Sequence, residues 1–190
     1  MASVPAGAGG SALACDFLTV DTVFLQRIYV LFFISLATRR VEYIACSSNP
    51  DGRWPAQQAR KLTMQLGDGQ PFRFVIHDRD SKFGHAFDEI FRTESIKVIR
   101  TPAEAPNANA YAERWVRTVR SDCLDRILIL GRRHLEHVLR IYRNHYNQHR
   151  PHRALDLRPP TGPDPMPTNT PIDLRCRDLL GGLIHEYEAA

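Results

Sequence analysis

A continuous apolar run, Ile28–Ile34, constrains the fold more than any other stretch of the chain. It is rich in β-branched and aromatic residues, which favour strands. An apolar run without alternation is typical of a strand buried on both faces. The run is too short to span a bilayer, which needs about 20 residues. We therefore predict a central strand in a sheet that is covered on both sides.

The segments around this run predict the rest of the sheet. Leu13–Val20 and Val41–Ala45 read as strands joined to it by short links, which indicates an antiparallel meander. Two later strands are predicted at Phe74–His77 and Lys97–Ile99. Helical spacing of apolar residues predicts helices at Gln57–Leu66, at 86–91, from Asn107 or Asn109 to about Leu130, and from about His134 to His149.

This order predicts an α/β fold with a mixed five-stranded sheet, three antiparallel strands followed by two parallel ones, flanked by helices. Residues 13–158 form one domain in this interpretation. Residues 1–12 are rich in Gly, Ala and Ser and are expected to be a flexible tail. Residues 159–190 begin with many prolines and are expected to be a disordered tail.

Charge and cysteine content narrow the class of protein. The 190-residue chain has a formal net charge of +4, and its arginines are concentrated between Arg114 and Arg158. This charge distribution is compatible with a nucleic-acid partner. The four cysteines are scattered without the spacing of a zinc or redox motif, which is typical of reduced thiols in a cytoplasmic protein. We expect a cytoplasmic protein without a membrane partner.

Three acidic residues are candidates for one metal site. Asp78 follows the strand Phe74–His77, at the kind of strand end where open α/β sheets bind ligands. Asp16 lies in an earlier strand and Glu113 early in a helix. Carboxylates that converge from separate elements suit hard divalent cations. The alternatives are Asp21 in place of Asp16 and Asp80 in place of Asp78.

Four motifs resemble the catalytic core of the retroviral-integrase-type transposases of bacterial insertion sequences. Their order along the chain matches that family, and about 35 positions separate the second acidic residue from the third. The resemblance covers roughly Ala14 to Pro160. The matching residues are Asp16, His77–Phe83, Pro106–Arg114 and Tyr146–Leu155.

The resemblance implies a ribonuclease-H-like fold, with residues 13–158 as an integrase-type catalytic core. It also implies that Asp16, Asp78 and Glu113 are the catalytic carboxylates and hold two Mg²⁺ or Mn²⁺ ions. The implied activity is DNA 3′-end cleavage and strand transfer, which is in-line phosphodiester displacement between two metals. DNA is the implied partner, and joining two DNA ends implies a homo-oligomer, at least a dimer.

Basic residues near the carboxylates are candidates for binding DNA phosphates. Arg117 and Arg120 share a helix face with Glu113, and Lys82 follows Asp78 closely. The alternative for each is a solvated helix or loop surface. Further arginines with the same two interpretations are Arg114, Arg126, Arg132, Arg133, Arg140, Arg143, Arg150 and Arg153.

His145, His149 and His152 have a spacing that could suit a metal on a helix, but no cysteine pair completes a zinc set. In the family this element looks like a structural lock after the last helix, and we favour that interpretation.

Full-length relatives usually carry a helix-turn-helix region before the core, whereas only a short Gly- and Ala-rich stretch precedes Asp16. We therefore expect a truncated reading frame or a core supplied separately. Two alternatives to an active transposase follow. One is a catalytically silent DNA-binding remnant that interferes with intact transposase, and the other is a simple nuclease of the same fold.

Overall fold

The computed structural model describes residues 11–67, 71–101, 110–161 and 174–189. Seven strands and four α-helices lie in these ranges, together with short 3₁₀ turns at Leu124–Arg126 and Arg153–Leu155. In chain order they are β1 (Ala12–Asp21), β2 (Arg27–Ser35), β3 (Val41–Ser47), α1 (Trp54–Leu66), β4 (Phe74–His77), α2 (His85–Thr93), β5 (Lys97–Arg100), α3 (Ala110–Asp122), α4 (Arg132–Gln148), β6 (Leu174–Leu179) and β7 (Ile184–Ala189).

Five strands form one mixed sheet in the order β3-β2-β1-β4-β5. The pairs β1–β2 and β2–β3 are antiparallel, whereas β1–β4 and β4–β5 are parallel. The predicted α/β class and the mixed sheet of three antiparallel and two parallel strands are confirmed. The run Ile28–Ile34 lies in β2, between β1 and β3, and is buried over most of its length.

The two faces of the sheet carry two separate apolar layers. On one face, α1 and α2 pack through Leu62, Phe87 and Phe91. On the other face, α3 and α4 pack through Trp115 and Leu139, among others. Trp115 lies against Phe32 of β2, with 4.1 Å between ring centroids. This contact fixes α3 on the sheet, and so it fixes the side chains at the start of that helix.

The predicted helix ending near Leu130 is wrong at its C-terminal end. Helix α3 stops at Asp122, and a 3₁₀ turn at Leu124–Arg126 redirects the chain. The backbone N–H of Val23 donates to the carbonyl of Ile129, so this segment runs alongside the β1–β2 turn. Leu124 is buried and Ile127 packs against the same core, which explains why their spacing predicts a longer helical face.

Disorder was expected for the whole of residues 159–190, and the structure differs over residues 174–189. There β6 and β7 form an antiparallel hairpin, in which Ile184 and Glu186 are buried. Its turn places Gly181 at φ 70° and Gly182 at φ 87°, a region that glycine adopts without strain. Residues 1–10 and 162–173 lie outside the described residues, as do the proposed helix caps Asn107 and Asn109.

Among the described residues, no helix is both long and apolar enough to cross a membrane.

Candidate acidic site

Asp16 lies in the middle of β1, and Asp78 follows the last residue of the adjacent strand β4. Ala14 of β1 is paired with Ile76 of β4 in a parallel ladder. Carried two residues further, that register sets Asp16 beside Asp78. Adjacent strands lie about 4.8 Å apart, so the two residues are neighbours although 62 positions separate them in the sequence.

Glu113 reaches the same region from α3. It lies in the first turn of that helix, next to the buried Ala112, and its side chain is exposed. Its charge acts on Asp16 together with those of Asp78 and Asp80. The three predicted carboxylates are therefore close enough for the charges of Asp78 and Glu113 to act on Asp16.

The pKa of Asp16 shows the effect of burial and of these neighbouring negative charges. Burial, followed by the negative charges of Asp78, Glu113 and Asp80, raises the pKa of Asp16 from 3.8 to about 7. The hydrogen bond that its Oδ1 accepts from the N–H of Phe17 (2.7 Å) works in the opposite direction. A bound cation would offset this repulsion and so stabilise the ionised form of Asp16.

The carboxylate oxygens of Asp16, Asp78 and Glu113 lie further apart than the ligand atoms of a site that encloses one ion. Within the described ranges, one set of three His, Cys, Asp or Glu side chains has all its ligand atoms within 4.8 Å of one another, and it is Cys176, Asp178 and His185. The acidic triad therefore holds its oxygens further apart. Oxygen donors of this kind fit Mg²⁺ or Mn²⁺ by their chemistry, and a site for two ions is wider than a site for one.

The two alternative residues, Asp21 and Asp80, each form an ion pair with a nearby basic residue. Asp21 is exposed and pairs with Arg27, whose Nε lies 2.9 Å from Oδ1. Asp80 pairs with Lys82, with 2.7 Å between Nζ and Oδ2. Burial opposes ionisation of Asp80, but its hydrogen bonds with Lys82 outweigh this and lower its pKa. The geometry therefore favours Asp16 and Asp78 over both rivals.

A buried polar network behind Asp78 was missed by sequence reasoning. The ring of His77 hydrogen-bonds through Nδ1 to the Asp78 carbonyl and through Nε2 to Oδ1 of Asp88 (3.0 Å). The other Asp88 oxygen accepts from Arg100 Nη2 at 2.6 Å. His77 and Asp88 are almost fully buried. Because the network links β4, α2 and β5, it fixes the backbone that carries Asp78.

The three predicted DNA contacts have different surroundings. Lys82 forms the ion pair with Asp80 that is described above. Arg120 donates from Nη2 to the carbonyl of Thr19 (2.7 Å), which ties α3 to β1. Arg117 is exposed, and its side chain forms no hydrogen bond or ion pair with any other residue that the structure describes. Arg117 is thus the best placed of the three to contact a phosphate.

A basic cleft of about 320 Å³ lies at the start of α3. Arg39 lies over the ring of Tyr111, 3.7 Å from its centroid. Arg114, Arg150 and Arg153 also line the cleft. Several cations in one concave surface attract a polyanion more strongly than the same charges dispersed.

The three histidines of the last helix and its C-terminal turn do not form a common site. His145 and His149 both approach Glu186 of β7, at 3.1 Å and 3.7 Å. His152 packs against Tyr146, with 4.6 Å between ring centroids. Arg150 donates from Nε to Asp122 Oδ2 at 3.0 Å. These contacts join α4, α3 and the hairpin, which agrees with a structural role.

Comparison with known proteins gave a match to a family model and matches to solved structures. Residues 94–160 match the family model described as the integrase core domain. The matched segment is about a third of the chain, and it is similar to that family. That match begins after Asp78, so it includes Glu113 but neither aspartate. A comparison with curated proteins gave no match.

Solved integrase and transposase cores share the fold. The catalytic domain of Mos1 mariner transposase has a TM-score of 0.58 at 14% identity, covering 70% of each chain. The BIV integrase core has 0.57 at 12%, covering 80% of this chain and 91% of that one. The HTLV-2 integrase core in complex with magnesium has 0.57 at 12%, covering 78% and 93%. The fold is thus the ribonuclease-H-like fold of these cores.

Proposed function

We propose that this integrase core is a metal-dependent polynucleotidyl transferase that cleaves DNA 3′ ends and joins them to target DNA. The observation that carries the proposal is the convergence of Asp16, Asp78 and Glu113 from β1, the end of β4 and α3. Asp16 and Asp78 are neighbours by strand register, and Asp16 feels the charge of both partners.

The three carboxylates would hold two Mg²⁺ or Mn²⁺ ions. When bound, such a pair supplies activation of the attacking oxygen and stabilisation of the leaving oxygen. The HTLV-2 integrase core and a Mos1 catalytic domain are described with magnesium, which supports the choice of ion. The chain's own contribution is to hold its carboxylates in place, and the network of His77, Asp88 and Arg100 does this for the backbone at Asp78.

DNA would lie across the start of α3. The cleft lined by Arg114, Arg150 and Arg153 lies beside the first turns of α3, the helix that also carries Glu113 and Arg117. Phosphate contacts of this kind give position and affinity without base specificity. Lys82 and Arg120 would contribute at the margin of this surface, since both also have partners within the protein.

Two active cores would be needed to join two DNA ends, so we propose a homo-oligomer, at least a dimer, on DNA. Related cores are described in dimeric and trimeric forms. Light scattering of the protein with and without DNA tests this. A monomer under both conditions would contradict it.

End-labelled duplex DNA incubated with the protein and Mn²⁺ tests the chemistry. We expect cleavage by the wild type and a loss of at least about 100-fold in Glu113→Gln, because that substitution removes a proposed metal ligand. Glu94→Gln, the same change at an exposed glutamate that is not one of the three carboxylates, is the matched control and retains activity. Equal cleavage by wild type and Glu113→Gln would refute the assignment.

The same reactions separate the alternative functions. Joined products in addition to nicked ones indicate strand transfer, whereas nicking alone indicates a simple nuclease. The second candidate is a silent DNA-binding remnant of an insertion-sequence transposase, which the basic cleft would support without metal chemistry. That candidate predicts salt-sensitive DNA binding without either product.

A further inference from the structure

The outer face of the C-terminal hairpin carries three different metal-ligand types. Cys176 and Asp178 lie two residues apart on β6, so they point to the same face. His185 of β7 is paired directly with Asp178. The other face of the hairpin holds the buried Ile184 and Glu186, the latter against His145. The hairpin therefore packs on the protein without using its outer face.

The ligand atoms of these three residues already lie close together. The Asp178 Oδ1 atom is 2.6 Å from His185 Nδ1 and 3.6 Å from Cys176 Sγ. All three atoms lie within 4.8 Å of one another. Around a tetrahedral zinc ion, bond lengths of about 2.0–2.3 Å put neighbouring ligand atoms about 3.3–3.8 Å apart. The cluster needs a movement of less than about 1 Å to reach that spacing.

We propose that Cys176, Asp178 and His185 form a binding site for one divalent transition-metal ion of the zinc class. A thiolate, an imidazole and a carboxylate are a donor set that zinc accepts, and three protein ligands leave the fourth position to water. Mg²⁺ and Ca²⁺ prefer oxygen alone and are excluded by the sulfur donor. The ion spans both strands of the hairpin, so it locks β6 to β7.

The position of the ligands supports the site. All three side chains are exposed, which gives an ion direct entry from solvent. The site is independent of the acidic triad, whose donors are all oxygens, and it stands whether or not the core cleaves DNA.

The exposed thiol makes a specific test possible. The other cysteines, Cys15, Cys46 and Cys123, are buried, so alkylation of the folded protein reports on Cys176 alone. The protein, free of any affinity tag and reduced with a non-chelating phosphine, is titrated with Zn²⁺ while the rate of alkylation is measured. We expect one ion per chain to protect the thiol, with about a tenfold slower reaction at ten times the dissociation constant.

Cobalt substitution identifies the ligands. We expect Co²⁺ to give a sulfur-to-metal charge-transfer band with the wild type and with Tyr187→Phe, a control on the same face. The band is lost in Cys176→Ser, and both it and the zinc protection weaken at least tenfold in Asp178→Asn and His185→Gln. His145 and His149 on the opposite face offer no sulfur, so binding there gives no such band.

Circular dichroism of each variant checks folding, which we expect to be unchanged because these side chains are exposed. The proposal is overturned if wild-type Cys176 reacts equally fast with and without Zn²⁺. It is also overturned if Asp178→Asn and His185→Gln both keep the band and the protection of the wild type, since the thiol would then bind metal without them.

Discussion

Replacement of Asp16 by asparagine should stabilise the metal-free protein. The pKa of about 7 in the fold lies about three pH units above the ordinary value of 3.8. At about 1.4 kcal/mol per pH unit this corresponds to about 4 kcal/mol. Relaxation and water around a partly exposed group reduce the effect, so we expect about 2–4 kcal/mol at pH 8. Asparagine keeps the oxygen that accepts from Phe17 N–H.

The pH dependence of this gain has a defined sign. Between about pH 4 and pH 7 the folded protein keeps the proton on Asp16 after the unfolded chain has lost it. The free energy of unfolding of the wild type therefore falls across that interval because of this group. The advantage of Asp16→Asn is near zero at pH 4, grows through the interval and is constant above pH 7.

Urea unfolding in EDTA, followed by tryptophan fluorescence, measures the effect, since Trp115 is buried in the core. Asp21→Asn is the matched control on the same strand. Its hydrogen bond with Arg27 lowers the pKa of Asp21, so this substitution should not stabilise the protein at any pH. An Asp16→Asn protein that is less stable than wild type at pH 8, or whose advantage is independent of pH, would show that the fold does not raise the pKa of Asp16.

Three further substitutions test other parts of the structure. Asp88→Ala should lower the free energy of unfolding by about 2–4 kcal/mol in urea titrations, because it leaves His77 without its buried acceptor; a loss below 1 kcal/mol would contradict this. Arg117→Ala should lower the salt dependence of DNA binding by about one counterion in fluorescence anisotropy, with stability unchanged, and an unaltered slope would speak against a phosphate contact. Asn147→Leu should cost about 1–3 kcal/mol, measured by thermal unfolding, because Asn147 bonds both the N–H and the C=O of Val41; wild-type stability would show that these bonds are replaced by water.

The sheet was predictable because its strands carry the strongest local signal. The buried run in β2 and the apolar stretches of β1 and β4 have no alternative with comparable burial, and the short links limit their order. The strand end at Asp78 followed from the same pattern. The closeness of Asp16 to Asp78 depends on strand order and register, which the sequence does not display.

The C-terminal hairpin could not be found from apolar periodicity because its apolar contacts are confined to the region of its turn, at Leu179, Leu180, Leu183 and Ile184, and the next inward-facing position of β7 is polar. Its buried Glu186 is held by His145 and His149, where a hydrophobic residue would have given a signal. Helix α3 was overextended for the opposite reason. Leu124 keeps the helical apolar spacing and is buried, but from a 3₁₀ turn. In both cases tertiary partners decided the structure.

The network behind Asp78 was also invisible in the sequence. His77 and Asp88 lie 11 positions apart, and Arg100 lies on a third element. Nothing in their spacing distinguishes them from surface residues until α2 is packed on the sheet. Buried ionisable groups of this kind are found from structure, by asking what satisfies each one.

The most direct test of the acidic site is anomalous diffraction from crystals of the protein soaked in Mn²⁺. We expect two manganese peaks about 4 Å apart, bound by oxygens of Asp16, Asp78 and Glu113, and their absence in crystals of Glu113→Gln. Manganese bound elsewhere, with these three carboxylates uncoordinated at saturating concentration, would show that they are not the metal site.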